Sequence, residues 1–338
     1  MLAKKCLLNS NSPLTAFTAF KFIENGSKCV STAVFAQNVQ QSSAHRSVAN
    51  TLFDEQKKKK FAEIGRIRKI EVRVKNVKPD EEVTLIMNEN ISTPFNCAQH
   101  IHELFVKRSV VAEIDNGVLW DMHRPLTHNC ALNFRHFKEE DPRELNKIFW
   151  RSCSFLLGMV IEKTFKDNIP VLLHSWPKPD VKSGSFVYDV ELPSLSNWKP
   201  TESELRTLTA MFWKIRQSCF KFERLDVNID IAKELFAHNH HKIKQLDSIL
   251  TNSKETHTIS VYRVNDHIDY SIGPMIPDTS YVGRVTVSSV HQISANGRKL
   301  YRFQGIAIPS QLRINFFAYR VLMDRSQKLN RSPFPSVF

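Results

Sequence analysis

Apolar and polar positions along this chain follow two periods that trade places several times. In the first third the short period dominates. Ile70, Val72 and Val74 alternate with Glu71, Arg73 and Lys75, the pattern of a half-buried strand. A polar turn from Lys78 to Glu82 separates it from a second predicted strand over 83–87. Ser92-Thr93-Pro94 then predicts a helix start, with a hydroxyl group to cap the first amides and a proline where a missing N–H costs nothing. Cys97, Ile101, Leu104 and Phe105 would form its apolar stripe. Strands follow over 110–114, 118–120 and 131–137, the first two joined by the tight turn Asp115-Asn116-Gly117.

Beyond Asp141-Pro142 the helical period takes over. Leu145, Ile148, Phe149, Cys153, Leu156, Leu157, Val160 and Ile161 predict one long helix over 141–166, in which Gly158 is expected to admit another backbone closely. Strands are expected at 171–173, 186–190, 259–264, 268–270 and 301–305, and a helix at 230–237. Another helix, over 201–218, opens on a capping box of Thr201 and Glu204. The segment 312–329 reads as amphipathic, with Phe316, Tyr319, Leu322 and Met323 inward and Arg313, Arg320, Arg325 and Lys328 outward. Near the front, 50–64 reads as a short helix. Leu52, Phe53, Phe61 and Ile64 would share one side, with Lys57-Lys58-Lys59-Lys60 on the rest.

Charge changes this picture more than overall composition does. With 338 residues, 42% of them hydrophobic and 24% charged, the chain suits two globular domains and an extension. No apolar run approaches the roughly 18 residues of a membrane span. The net charge of +13 favours a polyanionic partner, nucleic acid or an acidic membrane face. Residues 1–50 hold Lys4, Lys5, Lys21, Lys28 and Arg46 against a single acid, Glu24, and are rich in Ser, Thr, Asn and Gln. That composition predicts a mitochondrial presequence, the alternative being a disordered basic arm of a cytosolic protein. Most of the positive charge lies beyond it. Lys57 to Lys60, with Arg66, Arg68 and Lys69, read either as a strap for nucleic-acid phosphate or as a solvated helix face. Six cysteines, scattered without a CxxC pair, predict reduced, mostly buried thiols rather than a disulfide frame or zinc site. His100 and His102 lack further ligands, and His238-Asn239-His240-His241 reads as a solvated loop. No metal or cofactor is expected.

Three stretches carry resemblances to two families. The stretch from Ile114 through Asn116-Gly117 and Asp121 to Pro125-Leu126 resembles the signature of TGS domains, small ubiquitin-like modules that bind RNA or protein surfaces. Trp150-Arg151-Ser152-Cys153-Ser154-Phe155-Leu156-Leu157-Gly158 resembles the His-Ser-Ser-Ala-His-Leu-Leu-Gly stretch of threonyl-tRNA synthetase editing domains. Asp269-Tyr270-Ser271-Ile272-Gly273-Pro274-Met275-Ile276-Pro277 resembles that family's Asp-x-Cys-x-Gly-Pro-His-x-Pro. The editing family's two histidines, cysteine and third histidine are thus replaced by Arg151, Phe155, Ser271 and Met275. Imidazole serves such hydrolysis because it exchanges protons near neutrality. Phe155 and Met275 have no proton to exchange, Arg151 cannot act as a base, and Ser271 would need one.

The resemblance implies an α+β fold. A presequence or arm over 1–45 and a basic connector over 46–66 would lead into a β-grasp TGS module over 67–138. A larger two-layer, editing-domain-like unit would cover 141–310, and a basic amphipathic helix and tail 311–338. It also implies that the four replaced positions still converge, with Phe155 against Met275 and Arg151 turned outward or paired. The chain is identified as a member of a family of mitochondrial large-ribosomal-subunit proteins that join these parts. It would be a structural component rather than an enzyme, and the aminoacylation domain of the synthetases is not expected. Its partners would be mitochondrial ribosomal RNA and other large-subunit proteins, with no membrane span and no small-molecule substrate. Lys57–Lys60, Arg66, Arg68, Lys69, Arg313 and Arg320 are the candidate RNA contacts. The rival readings are a freestanding deacylase of mischarged tRNA and a TGS adaptor outside the ribosome.

Overall fold

A computed structural model of the chain describes residues 32–334, apart from 79–80, 116, 167, 253–257 and 296. The first 31 residues of the expected presequence lie outside the described residues. No helix among those described is long and apolar enough to cross a membrane. The architecture is mixed α/β with three sheets.

The alternating pattern of the first third builds the first sheet. Its strands are β1 (Lys69–Lys78), β2 (Glu81–Asn88), β3 (Val111–Ile114), β4 (Val118–Trp120) and β5 (Cys130–Arg135), in the order β2-β1-β5-β3-β4. β1 and β5 run parallel and the other neighbours antiparallel. Ile70, Val72 and Val74 are buried while Glu71 and Arg73 are exposed, as the period of two requires. Thr93 caps α2 (Pro94–Ile101): its hydroxyl accepts the Asn96 N–H at 3.3 Å, and the Asn96 side chain accepts the Thr93 N–H at 3.0 Å. The expected single apolar stripe does not continue. His102 ends α2, and its Nδ1 accepts the Leu104 N–H at 3.0 Å to start α3 (Glu103–Arg108). Leu104 is carried outward by that break, while Cys97 and Phe105 stay buried. Cys97, Cys130 and Cys153 are free and buried, as anticipated. Burial pushes the Cys97 thiol up to about 12 and the Cys130 thiol up to about 11, so neither forms thiolate near neutrality.

The remainder is arranged about α4 (Arg143–Thr164), in which every residue from Ser152 to Ile161 is buried. A helix covered on all sides needs no polar face. On one side lies a four-stranded antiparallel sheet of β6 (Leu172–Ser175), β7 (Phe186–Glu191), β11 (Val282–Ala295) and β12 (Arg298–Pro309), in the order β11-β12-β7-β6. A Cβ on Gly158 would stand 2.7 Å from the Tyr188 ring, so the close approach there is aromatic and not the expected backbone. α5 (Glu202–Gln217), with the Thr201–Glu204 capping box in place, packs on α4 and β11.

The third sheet, β10-β9-β8, joins β8 (Glu223–Asn228), β9 (Thr258–Val264) and β10 (His267–Tyr270), and α6 (Ile229–Leu235) and α7 (His240–Asn252) accompany it. The histidine cluster is therefore only partly a solvated loop: His238 and His240 are exposed, but Asn239 and His241 are buried, and His240 begins α7. Asn239 is buried, donates to the Leu173 carbonyl at 2.8 Å and accepts the His241 N–H at 3.1 Å. α1 (Thr32–Ala62) is twice as long as expected and crosses the anticipated boundary at residue 45. Its Ala49 and Phe53 pack with Leu225, Val227 and Phe236. Phe61 lies beyond that contact and is 66% exposed instead of sharing the apolar side.

At the other end α8 is shorter than expected, spanning Phe316–Ser326. Tyr319 is buried and Leu322 and Met323 pack against the central core. Phe316, expected inward, is 59% exposed. Arg325 is exposed, as expected, and donates to the Lys182 carbonyl. The chain past α8 is tied down by Gln304, whose amide donates to the carbonyls of Ser326 at 2.9 Å and Lys328 at 2.8 Å. Arg302 forks onto Asp189 at 2.8 and 2.7 Å and also donates to the carbonyls of Asn330 and Ser332.

Candidate functional site

The loop after β10 meets the middle of α4, where Arg151 and Ser152 contact residues 273–276. Arg151 is turned inward. Its Nη1 donates to the Gly273 carbonyl at 2.5 Å and to that of Pro274 at 3.1 Å. Burial lowers its pKa, though Tyr262 and Asp121 oppose the shift. The expectation of a guanidinium turned outward, or paired with an acid or phosphate, is corrected accordingly: two backbone carbonyls meet its Nη1. At the next residue, the Ser152 hydroxyl accepts the Ile276 N–H at 3.0 Å and approaches the Met275 sulfur at 3.5 Å. Met275 is 1% exposed. Phe155 and Met275 belong to the same buried cluster, and the ring neighbours of Phe155 are His267 at 4.8 Å, Phe222 at 5.4 Å and Trp176 at 6.4 Å. The Ser271 hydroxyl accepts the Gly273 N–H at 3.4 Å and bonds to no histidine or carboxylate among the described residues.

Two polar groups hold this arrangement. The first is Asp121, which reaches across from the five-stranded sheet. Its Oδ1 accepts the Met275 N–H at 2.7 Å, and its Oδ2 accepts the Tyr262 hydroxyl at 2.9 Å and an Arg224 N–H at 3.2 Å. Burial, reinforced by the Asp121 charge, raises the Tyr262 phenol well above its usual range. The second is a buried group of Lys242, Asp269 and Tyr188. Lys242 Nζ donates to both Asp269 oxygens, at 2.7 and 3.0 Å, and the Tyr188 hydroxyl donates to the same carboxylate. Burial, with the Asp269 charge, raises the Tyr188 phenol strongly. All three side chains are buried, so the group is out of contact with solvent.

A third cluster joins residues far apart in sequence. Ligand atoms of Glu191, His240 and His241 lie within 4.8 Å of one another. His241 sits 2.5 Å from the Glu191 carboxylate, and an Arg298 N–H is 2.6 Å from the Nε2 of His240. The guanidinium already supplies a cation beside the carboxylate. Spacing within 238–241 gave no hint of it, because Glu191 comes from β7.

The candidate RNA contacts divide. Lys57 pairs with Glu223 at 2.7 Å and Lys60 donates to the Asp226 carbonyl, so both bind α1 to β8. Lys58, Lys59, Arg66 and Arg68 are exposed and have no carboxylate partner among the described residues. Lys69 donates to the Asn88 side chain at 2.6 Å. Arg313 and Arg320 lie exposed around α8.

No family model matches the chain. It is 43% identical over 302 residues to the large ribosomal subunit protein mL39 of Drosophila melanogaster, covering 88% of this chain and 89% of that protein. It is also 27% identical over 244 residues to a probable cytoplasmic threonine–tRNA ligase 1 of Dictyostelium discoideum, and 29% identical over 225 residues to that of Rattus norvegicus. Those matches span 32% and 29% of the ligases, less than a third of either enzyme. The long match, even across nearly the whole of both proteins, decides between the two: the chain belongs to the family of large ribosomal subunit protein mL39.

Proposed function

We propose that the chain is a structural component of the mitochondrial large ribosomal subunit, held there by charge and shape against ribosomal RNA and neighbouring proteins. The observation that carries this reading is the match to mL39 over almost all of both chains. The site geometry supports it. Arg151 is spent on the Gly273 and Pro274 carbonyls, Phe155 and Met275 are packed in the core, and Ser271 has no base among the described residues. None of these is a group that could activate water. The buried Lys242–Asp269–Tyr188 group acts as a brace between β7, α7 and β10.

Residues 67–138 are read as a TGS module of β-grasp type. Support comes from the strand order β2-β1-β5-β3-β4 with its parallel central pair, and from Asp121, the acid of the resembled signature, which clasps the loop after β10. Residues 141–310 are read as an editing-type domain kept for shape. Lys58, Lys59, Arg66 and Arg68 are the residues placed to meet RNA phosphate.

Depleting the chain from cells is expected to lower assembled mitochondrial large subunits while leaving small subunits intact. Unchanged large subunits would overturn the reading. Release of amino acid from mischarged threonyl-tRNA by the purified protein would instead establish the deacylase.

A further inference from the structure

The helix α8 is apolar on both sides. Its inner side, with Tyr319, Leu322 and Met323, is used in the core. Its outer side carries Phe316, Phe317 and Val321, which are 59%, 78% and 67% exposed. Leu312, just before the helix, adds to the same region and is also exposed. Phe317 and Val321 are four residues apart on the helix, as are Phe316 and Arg320, so the exposed apolar side chains form one strip with Arg320 at its edge. A strip of exposed aromatic and branched side chains is costly to leave in water and marks a contact surface.

Its border is equally specific. Arg313 and Arg320 are exposed and have no carboxylate partner among the described residues. Arg284, also exposed, stacks over the Tyr319 ring at 3.9 Å and lies 5.6 Å from the Phe316 ring, again without an acid. No lysine occurs between Leu312 and Val321. Arginine and aromatic residues enriched around an apolar centre, with lysine absent, are the composition of a protein–protein interface. An RNA backbone would offer charge to these arginines and nothing to Val321 or Leu312.

We propose that the outer face of α8 docks a partner protein whose own apolar patch is bordered by carboxylates that pair with Arg284, Arg313 and Arg320. The proposal deepens the ribosomal reading and rests on it for the particle in which the contact is sought.

The test places a photoreactive benzoylphenylalanine at Phe317 in the full chain, irradiates intact cells, and then fractionates them. The expected result is a protein adduct that survives nuclease, on a peptide containing Asp or Glu. The R313E/R320E variant should lower its yield by roughly tenfold or more. The F317S/V321S variant is expected to melt where the parent does, since both side chains are exposed, yet to associate poorly. A nuclease-sensitive adduct, no adduct, or a yield indifferent to charge reversal would overturn the proposal. An acid-bearing protein adduct found only in slowly sedimenting fractions would uphold the docking surface and refute the ribosomal reading.

Discussion

Asp121 offers the sharpest test of how the two halves are joined. Replacing it by Ala removes the acceptor of three hydrogen bonds at once, from the Met275 N–H, the Tyr262 hydroxyl and Arg224. Arg224 keeps Asp226 at 2.9 Å and Ser260 at 2.8 Å, so its charge is not abandoned. The Met275 N–H and the Tyr262 hydroxyl lose the partner that satisfies them in the core. Breaking a buried charge pair costs about 3–5 kcal/mol, and each orphaned buried polar group about 1–3 kcal/mol. Because Arg224 stays paired, the two orphaned groups set the cost, and D121A is expected to lose about 2–6 kcal/mol in total. Asp121→Asn keeps one carbonyl acceptor for Met275 and should cost about half as much. Urea unfolding followed by far-UV circular dichroism reads both. A double-mutant cycle with Tyr262→Phe should give a coupling of about 0.5–3 kcal/mol, because the two groups share one hydrogen bond. If D121A and D121N both fall within about 0.5 kcal/mol of the parent, as surface substitutions do, the clasp has no energetic role.

Three further outcomes are expected. Arg302→Met leaves Asp189 buried and unpaired, where burial already raises its pKa against the pull of Arg302, and should cost about 3–5 kcal/mol in the urea midpoint. The double variant R302M/D189L should recover most of that loss. Burial holds His123 down to about 4 and His174 down to about 4, from an ordinary 6.5. The unfolded chain therefore takes up these protons first, so stability is full above 6.5 and declines as the pH falls from there toward 4. His174→Phe should flatten that decline in a pH series of thermal melts, and an unchanged slope would refute the assignment. Lys58→Gln with Lys59→Gln should reduce the salt dependence of RNA binding by roughly 0.7–0.9 log units per lost contact. Lys57→Gln with Lys60→Gln should instead loosen α1 from β8, seen as faster proteolysis of the helix.

The sequence was most legible where one side chain did one local job. Thr93-Pro94 and Thr201 with Glu204 start helices by capping amides, and both caps form as written. The alternation in β1 survives because one face of that strand stays in water. Legibility failed where polar residues are buried against partners distant in sequence. Asn239 and His241 made the start of α7 look solvated, yet their partners are Leu173 and Glu191. β8 was missed because only Leu225 and Val227 are apolar in it. Its charges are met across the sheet and from α1, Glu223 by Arg263 and Lys57. Phe316 was misplaced for the opposite reason: a period locates an apolar face only if every apolar residue is buried within the same chain, and α8 keeps an outer face for another surface. At the candidate site it was readable that Phe155 and Met275 bring no ionisable group. The inward turn of Arg151 and the reach of Asp121 depend on a loop fold that no spacing encodes.

The central claim is tested most directly by sedimenting the endogenous protein from a mitochondrial lysate through a sucrose gradient that separates the ribosomal subunits. The protein should travel with the large subunit, stay there after the subunits are parted at low magnesium, and be found at about one copy per particle. Recovery at the top of the gradient, free of large-subunit RNA, would contradict the account.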